Sequence, residues 1–326
     1  MIGEHARVRA YLAPIAVFFG FLFLGDLVKK LGDGYAHWAL AEPSYWIFPI
    51  QTFVCAAILW AQRRHYVFSP MKGFGFATLI GLLALGIWIL PQEGWRFIDV
   101  GQRIFGLKIW VSPQTVFGFP PRNDGFDPAF FANDGWPYSL NLTLRILRMV
   151  VIVPLAEELF WRGFLLRYLV RREFDTVPMG TFTWMSFAVT TAAFCFEHQP
   201  PDWPAAVLTG ALFNLVAYRT RSLAACVLTH AVTNLALALY ILHTKQWGFW
   251  RLWPATCFPI GMIRNSFFQK VFLTMFWGLC ASGLILFYKH MIWQANEDIN
   301  GAAATKELYG DARQVAHPIG KHSKAE

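Results

Sequence analysis

Eight predominantly apolar blocks, at roughly 11–29, 44–62, 74–91, 144–170, 181–198, 203–218, 222–243 and 270–291, decide most of what this chain can fold into. A hydrocarbon core of ~30 Å is crossed by ~20 mainly apolar helical residues. In lipid, every backbone N–H and C=O of such a segment must be satisfied within the helix itself. The blocks therefore predict an all-α polytopic membrane protein with about eight transmembrane helices. Composition points the same way: 56% of residues are apolar and 15% charged, against about 25% charged in soluble domains. Trp46, Trp60, Trp88, Trp203 and Trp293 lie at or near block ends, where amphipathic rings favour the headgroup level.

The formal net charge of +8 does not call for a nucleic-acid partner, because the basic residues are scattered over loops and block ends. Orientation signals and contacts with membrane lipids account for them. Arg7, Arg9, Arg63, Arg64, Lys72, Arg171, Arg172, Arg219 and Arg221 fall on one side, and Lys29, Lys30, Lys245, Arg251, Arg264 and Lys270 on the other. This bias, with the basic tail, places both termini in the cytoplasm and the protein in the cell (inner) membrane. The first block is long for a signal peptide and is followed directly by Lys29-Lys30, so it reads as a retained span. Of the five cysteines (Cys55, Cys195, Cys226, Cys257 and Cys280), four fall inside blocks and none forms a CxxC pair, which fits small buried hydrophobes.

The blocks give one transmembrane domain, 1–293, with a core at 144–243, and a polar, disordered cytoplasmic tail at 294–326. Two long connections stand outside the spans. Residues 92–140 hold Pro113, Pro120, Pro121, Pro128 and Pro137, which should interrupt any helix, and Trp95 to Trp110 could lie flat at the interface. Residues 244–269 hold Trp247, Trp250, Trp253 and Pro254.

A charge at the centre of a bilayer helix costs ~2.5–3.5 kcal/mol on insertion scales, so such residues point to function. The fourth block carries three: Glu157, Glu158 and Arg162. Arg145, Arg148 and Arg167 lie nearer its ends, where long side chains can snorkel. Glu158 and Arg162 are four apart with the Glu on the N-terminal side, the favoured order for an ion pair. That leaves Glu157 to meet a neighbouring helix. His198 closes the fifth block, and His230 and Asn234, also four apart, share one face of the seventh. A carboxylate and an imidazole can share a water and take its proton, while imidazole and amide N–H groups can hold an oxyanion.

Glu157-Glu158-x-x-x-Arg162, Phe194-x-x-x-His198 and His230-x-x-x-Asn234 together resemble the three-motif signature of the CPBP family. These are the CAAX prenyl endopeptidases and their bacterial relatives, also called glutamic-type intramembrane proteases. The resemblance covers residues 157 to 234 and implies peptide hydrolysis with no metal or other cofactor. Glu157 and His198 would activate water, His230 and Asn234 would stabilise the oxyanion, and Glu158 and Arg162 would be accessory or structural. The implied partner is a membrane-associated protein or peptide, lipidated or sorting-tagged. Two other readings compete. Glu157, His198 and His230 could form a zinc site, although no His-Glu-x-x-His string is present. A non-catalytic scaffold, immunity or proton-coupled transport protein would also use intramembrane Glu and His.

Overall fold

The computed structural model describes residues 2–35, 37–101, 125–198 and 202–250. The chain divides into two compact units, Met1–Phe258 and Pro259–Glu326, and every described residue belongs to the first. The apolar block at 270–291, Cys257, Cys280, Trp253, Trp293, the tail and most of the two long connections lie outside the described residues.

The described residues are helical, with no strand among them. We number the helices α1 (Ile2–Leu31), α2 (Trp38–Ala41), α3 (Ser44–Gln62), α4 (Phe74–Gly101), α5 (Gly135–Tyr168), α6 (Trp184–Glu197), α7 (Trp203–Thr220) and α8 (Leu223–Thr244). Four stretches are long and apolar enough to cross a membrane: Ala6–Leu31, Ser44–His65, Gly135–Tyr168 and Leu223–Thr244. Phe74–Leu90 is a shorter apolar helix. Phe23, Phe53, Leu79, Leu90 and Leu239 are exposed. Outward apolar surface of this kind suits lipid and would be a liability in water. The protein is an integral membrane protein.

Local chemistry sets several helix ends. Thr183 Oγ1 accepts from the Ser186 N–H at 3.1 Å and starts α6, and Ser222 Oγ accepts from the Ala225 N–H at 3.2 Å and starts α8. Arg221 (φ 54°) and Lys245 (φ 58°) adopt left-handed backbone and stop α7 and α8.

The structure departs from the sequence expectations at four points. The fifth block forms only the 14-residue α6, which at 1.5 Å per residue covers roughly 21 Å and cannot cross a bilayer alone. The 92–140 connection is shorter than expected, because α4 runs on to Gly101 and α5 begins at Gly135. Pro137 does not break α5, since it stands in the first turn, where a backbone N–H has no helical acceptor to lose. Arg145 and Arg148 do not snorkel either. Both are buried, Arg148 Nε donates to Gln51 Oε1 at 2.6 Å, and its guanidinium lies 4.2 Å from the Phe48 ring centre. The Arg145 guanidinium stands within 6 Å of the Phe48, Phe126 and Trp250 rings.

α5 runs through the middle of the bundle, touching α1, α3 and α8, while α4 packs along both α7 and α8. The α4–α8 approach is close because Gly81 faces α8: a Cβ there would lie 2.7 Å from the Thr229 carbonyl oxygen and 3.0 Å from Val232. Thr233 Oγ1 donates to the Gly81 carbonyl at 3.0 Å across the same contact. Small residues at such crossings let membrane helices meet backbone to backbone. Gly81→Val should therefore destabilise the fold by about 1–3 kcal/mol, the range for overpacking a tight contact. Gly86→Val, on the same helix with open space around it, should not. Thermal melting in detergent checks this, and equal melting temperatures for the two variants would refute the close-approach account.

Candidate active site

The acids of the site stand on α5 between two stretches where the helix widens to i→i+5 hydrogen bonding, Arg148–Ile152 and Leu159–Leu165. Pro154 lies between them and has no N–H to give to the preceding turn, which favours a local change of helical repeat. Glu157 and Glu158 follow it three and four residues later.

Glu158 and Arg162 form an ion pair at 2.9 Å, with both side chains fully buried. Arg162 also donates from Nε to Asn214 Oδ1 at 3.0 Å and from Nη2 to the Gly210 carbonyl at 3.2 Å, both on α7. Its guanidinium lies over the Phe194 and Phe213 rings, at 5.0 and 5.4 Å. Glu158 has a second partner, because its Oε1 is 2.9 Å from His230 Nδ1 on α8. An ionised carboxylate only accepts, so this contact assigns the hydrogen to Nδ1 and leaves Nε2 as the other polar atom of the ring.

His198 is the C-cap residue of α6. Its Nδ1 is 2.8 Å from the Phe194 carbonyl oxygen, which likewise can only accept. The neutral ring therefore carries its hydrogen on Nδ1 and a lone pair on Nε2, the tautomer a base requires. The Trp203 indole holds the His198 carbonyl at 2.9 Å, and the imidazole packs beside Trp88 and Phe194, with centres at 5.2 and 4.8 Å. The sequence placed Trp88 at an interfacial block end. Because α4 continues past it, the indole instead borders this site.

Asn234 lies one turn beyond His230, and its Nδ2 donates to the Met149 carbonyl on α5 at 2.8 Å. One of the two amide hydrogens is thus used in fixing the side chain. His198, His230 and Asn234 line a single cavity of about 170 Å³, together with Trp88, Phe213 and Asp202 among others.

Glu157 is buried and is not among the residues lining that cavity. Glu197 of α6 stands near enough for its charge to act on Glu157. Glu197 Oε2 also accepts from the Trp161 indole at 2.9 Å. Through Trp161 the structure therefore joins α5 to the residue immediately before His198. Because α6 is short, its C-terminal end lies level with the middle of α5, where Glu157 stands. This brings a histidine at a helix end to the depth of an acid in the interior of another helix.

Sequence reasoning missed Glu197, Trp161, Asn214 and Trp88. Glu197 was visible as another acid near the end of an apolar block, but next to a predicted helix end it reads as an ordinary boundary charge. Among the described residues, no group of three or more His, Cys, Asp or Glu is arranged to hold a metal ion. Cys55, Cys195 and Cys226 are free and buried.

These features define a polytopic membrane protein in which acids, imidazoles and an amide from three helices converge between the spans. Residues 139–236, about three-tenths of the chain, match the family described as Rce1-like, type II CAAX prenyl endopeptidase Rce1-like. The matched segment contains all three motifs, and through it the chain is similar to that family. No curated protein and no solved structure matches the chain.

Removing either member of the Glu158–Arg162 pair should strand the other in the interior at a cost of about 3–5 kcal/mol. Glu158→Gln and Arg162→Met should each lower the melting temperature and the yield of monodisperse protein from membranes. The double variant should lose less than the sum of the two. Additive losses would show that the two residues stabilise the fold independently.

Proposed function

We propose that this protein is a glutamic-type intramembrane endopeptidase that cleaves a membrane-associated protein or peptide without a metal ion. Glu157 and His198 activate the water, His230 and Asn234 hold the oxyanion, and Glu158 with Arg162 orients His230. The observation that carries this reading is the convergence of His198, His230 and Asn234, from two helices, on one cavity.

The geometry suits each role. With hydrogen on Nδ1, His198 offers the Nε2 lone pair to a water proton. Glu157, two residues from the wide turn of α5, is a buried carboxylate that, unlike Glu158, forms no ion pair with Arg162. Donation to an oxyanion from His230 uses Nε2–H alongside the Nδ1–H held by Glu158, so the ring acts as an imidazolium whose charge Glu158 balances. Asn234 contributes its second amide hydrogen, the first being committed to Met149. Water attacks the carbonyl carbon as its proton leaves. The negative oxygen settles between His230 and Asn234, and the proton later passes to the departing nitrogen. Placement in the cell inner membrane with cytoplasmic termini follows from the Lys/Arg bias, and a lipidated or sorting-tagged substrate suits a site enclosed among spans.

The experiment uses the purified full chain in proteoliposomes with membrane protein from cells lacking it, reading new C-termini by mass spectrometry. Glu157→Gln keeps the shape of the side chain and removes its basicity, so cleavage should fall ~10²–10⁴-fold with folding intact. Asn234→Ala should lose ~10²–10³-fold. Prolonged chelation should leave the wild type active. Cleavage that persists in Glu157→Gln would overturn the assignment of the base, and loss on chelation restored by zinc would establish a metalloprotease.

A further inference from the structure

Arg145 is a cation that the fold buries and leaves unanswered. It is 8% exposed, and its Nε and Nη1 are enclosed without a hydrogen-bond acceptor. Among the described residues it forms no ion pair, and neither does Arg148, three positions further along α5. Both guanidinium groups stand close to the Phe48 ring, 5.5 and 4.2 Å from its centre. Arg148 has an acceptor in Gln51, and the charge of Glu157 reaches it from further along the helix. Around Arg145 stand rings, with the centres of Phe126 and Trp250 at 5.2 and 5.6 Å. Ring faces attract a cation but give its five N–H groups no lone pair. A buried charge in that condition is costly. Beside it lies a cavity of about 10 Å³, lined by Tyr45, Phe48, Phe126, Asn141 and Arg145 among others, with room for about one water-sized occupant. The neighbouring polar groups are already engaged. The Tyr45 hydroxyl donates to the Asp127 carbonyl at 2.9 Å, and Asp127 turns its own Oδ1 to the Ala129 N–H at 2.9 Å. Asn141 gives one amide hydrogen to the Pro128 carbonyl at 3.5 Å and keeps the other.

We propose that the cavity at Arg145 is a binding site for a single monatomic anion, of which chloride is the common example, held by Arg145 and Asn141. Charge and size both argue for such an occupant. A water could accept from the guanidinium but would leave its charge uncancelled in the interior, whereas an anion removes it. A halide accepts from several donors at once and donates nothing, which matches the unused N–H groups of Arg145 and the second amide hydrogen of Asn141. Phosphate and sulfate are far larger than the cavity. A halide is somewhat wider than a water, and the long Arg145 side chain is the wall that can yield to it. The site is built from α3 (Tyr45, Phe48), α5 (Asn141, Arg145) and the connection that carries Phe126, whose N–H donates to the Trp250 carbonyl at 2.8 Å. A bound ion therefore ties these pieces together, and an ion that binds only the folded chain stabilises it by mass action. The cavity shares no lining residue with the one that His198, His230 and Asn234 line, so the inference does not depend on the protease reading.

The test follows thermal melting of the purified full chain in detergent while chloride replaces gluconate at constant ionic strength. From millimolar to several hundred millimolar chloride, the melting temperature should rise along a saturating curve by about 2–4 °C. Bromide should act as chloride does, and sulfate should not. Arg145→Gln should abolish the response, while Arg63→Gln, at an exposed position at the end of α3, should keep it in full. Crystals grown in bromide should show anomalous density beside the Arg145 guanidinium. This measurement needs no variant, and it decides the matter alone if Arg145→Gln does not fold. A melting temperature indifferent to halide would overturn the proposal. So would a response that survives in Arg145→Gln, or bromide density found only elsewhere, either of which means an adventitious ion only. Acetate acting as strongly as chloride would show a site for carboxylate groups and overturn the assignment to a monatomic anion.

Discussion

The buried pair of Glu158 and Arg162 is the interaction on which the rest of the site depends. Neither side chain touches solvent, and a lone charge in such a place would be far costlier than the helix that carries it could offset. The pair is tolerable because three other helices add polar and ring contacts to it. Arg162 reaches Asn214 and Gly210 on α7 and lies over Phe194 of α6, and Glu158 reaches His230 on α8. Asn214 in turn donates to Thr191 Oγ1 on α6 at 3.0 Å. One ion pair therefore ties α5 to α6, α7 and α8. What looks like an accessory ion pair is the direct support of His230.

Much of this was legible in the sequence, for a physical reason. Helices in lipid must be long, continuous and apolar, so the starts of α3, α4, α7 and α8 fall within a residue or so of the apolar block edges. The i, i+4 spacing of Glu158 and Arg162 announced their contact, since partners on one helix need only the helical repeat. The same rule put His230 and Asn234 on one face, though what each touches on α5 had to come from the fold.

The parts that stayed hidden are those where tertiary context overrides local pattern. Nothing in the string around Glu197 says that its helix stops short and meets the interior of another, so its partner Trp161, 36 positions earlier in the chain, could not be inferred. Arg145 and Arg148 looked terminal only because the helix start was placed at the first continuous apolar run. The true start lies further back, in a stretch whose proline is harmless in a first turn. Trp88 was misjudged for the mirror-image reason, as α4 outlasts its most apolar portion.

The hydrogen-bonded line from Arg148 through Gln51 to the Phe18 carbonyl bears on how the bundle is built. Gln51 Nε2 donates to Phe18 at 2.7 Å, so α1 and α3 already satisfy one half of that amide between themselves. The other half, Oε1, is taken by Arg148. Chains emerge from the ribosome N-terminus first, and α1 and α3 precede α5 by most of a hundred residues. The early hairpin thus enters the bilayer with an oriented carbonyl dipole that only a later donor can fill. Biogenesis of the membrane domain accordingly has a directional latch: α1 and α3 form a template, and Arg148 is the key that seats α5 against it.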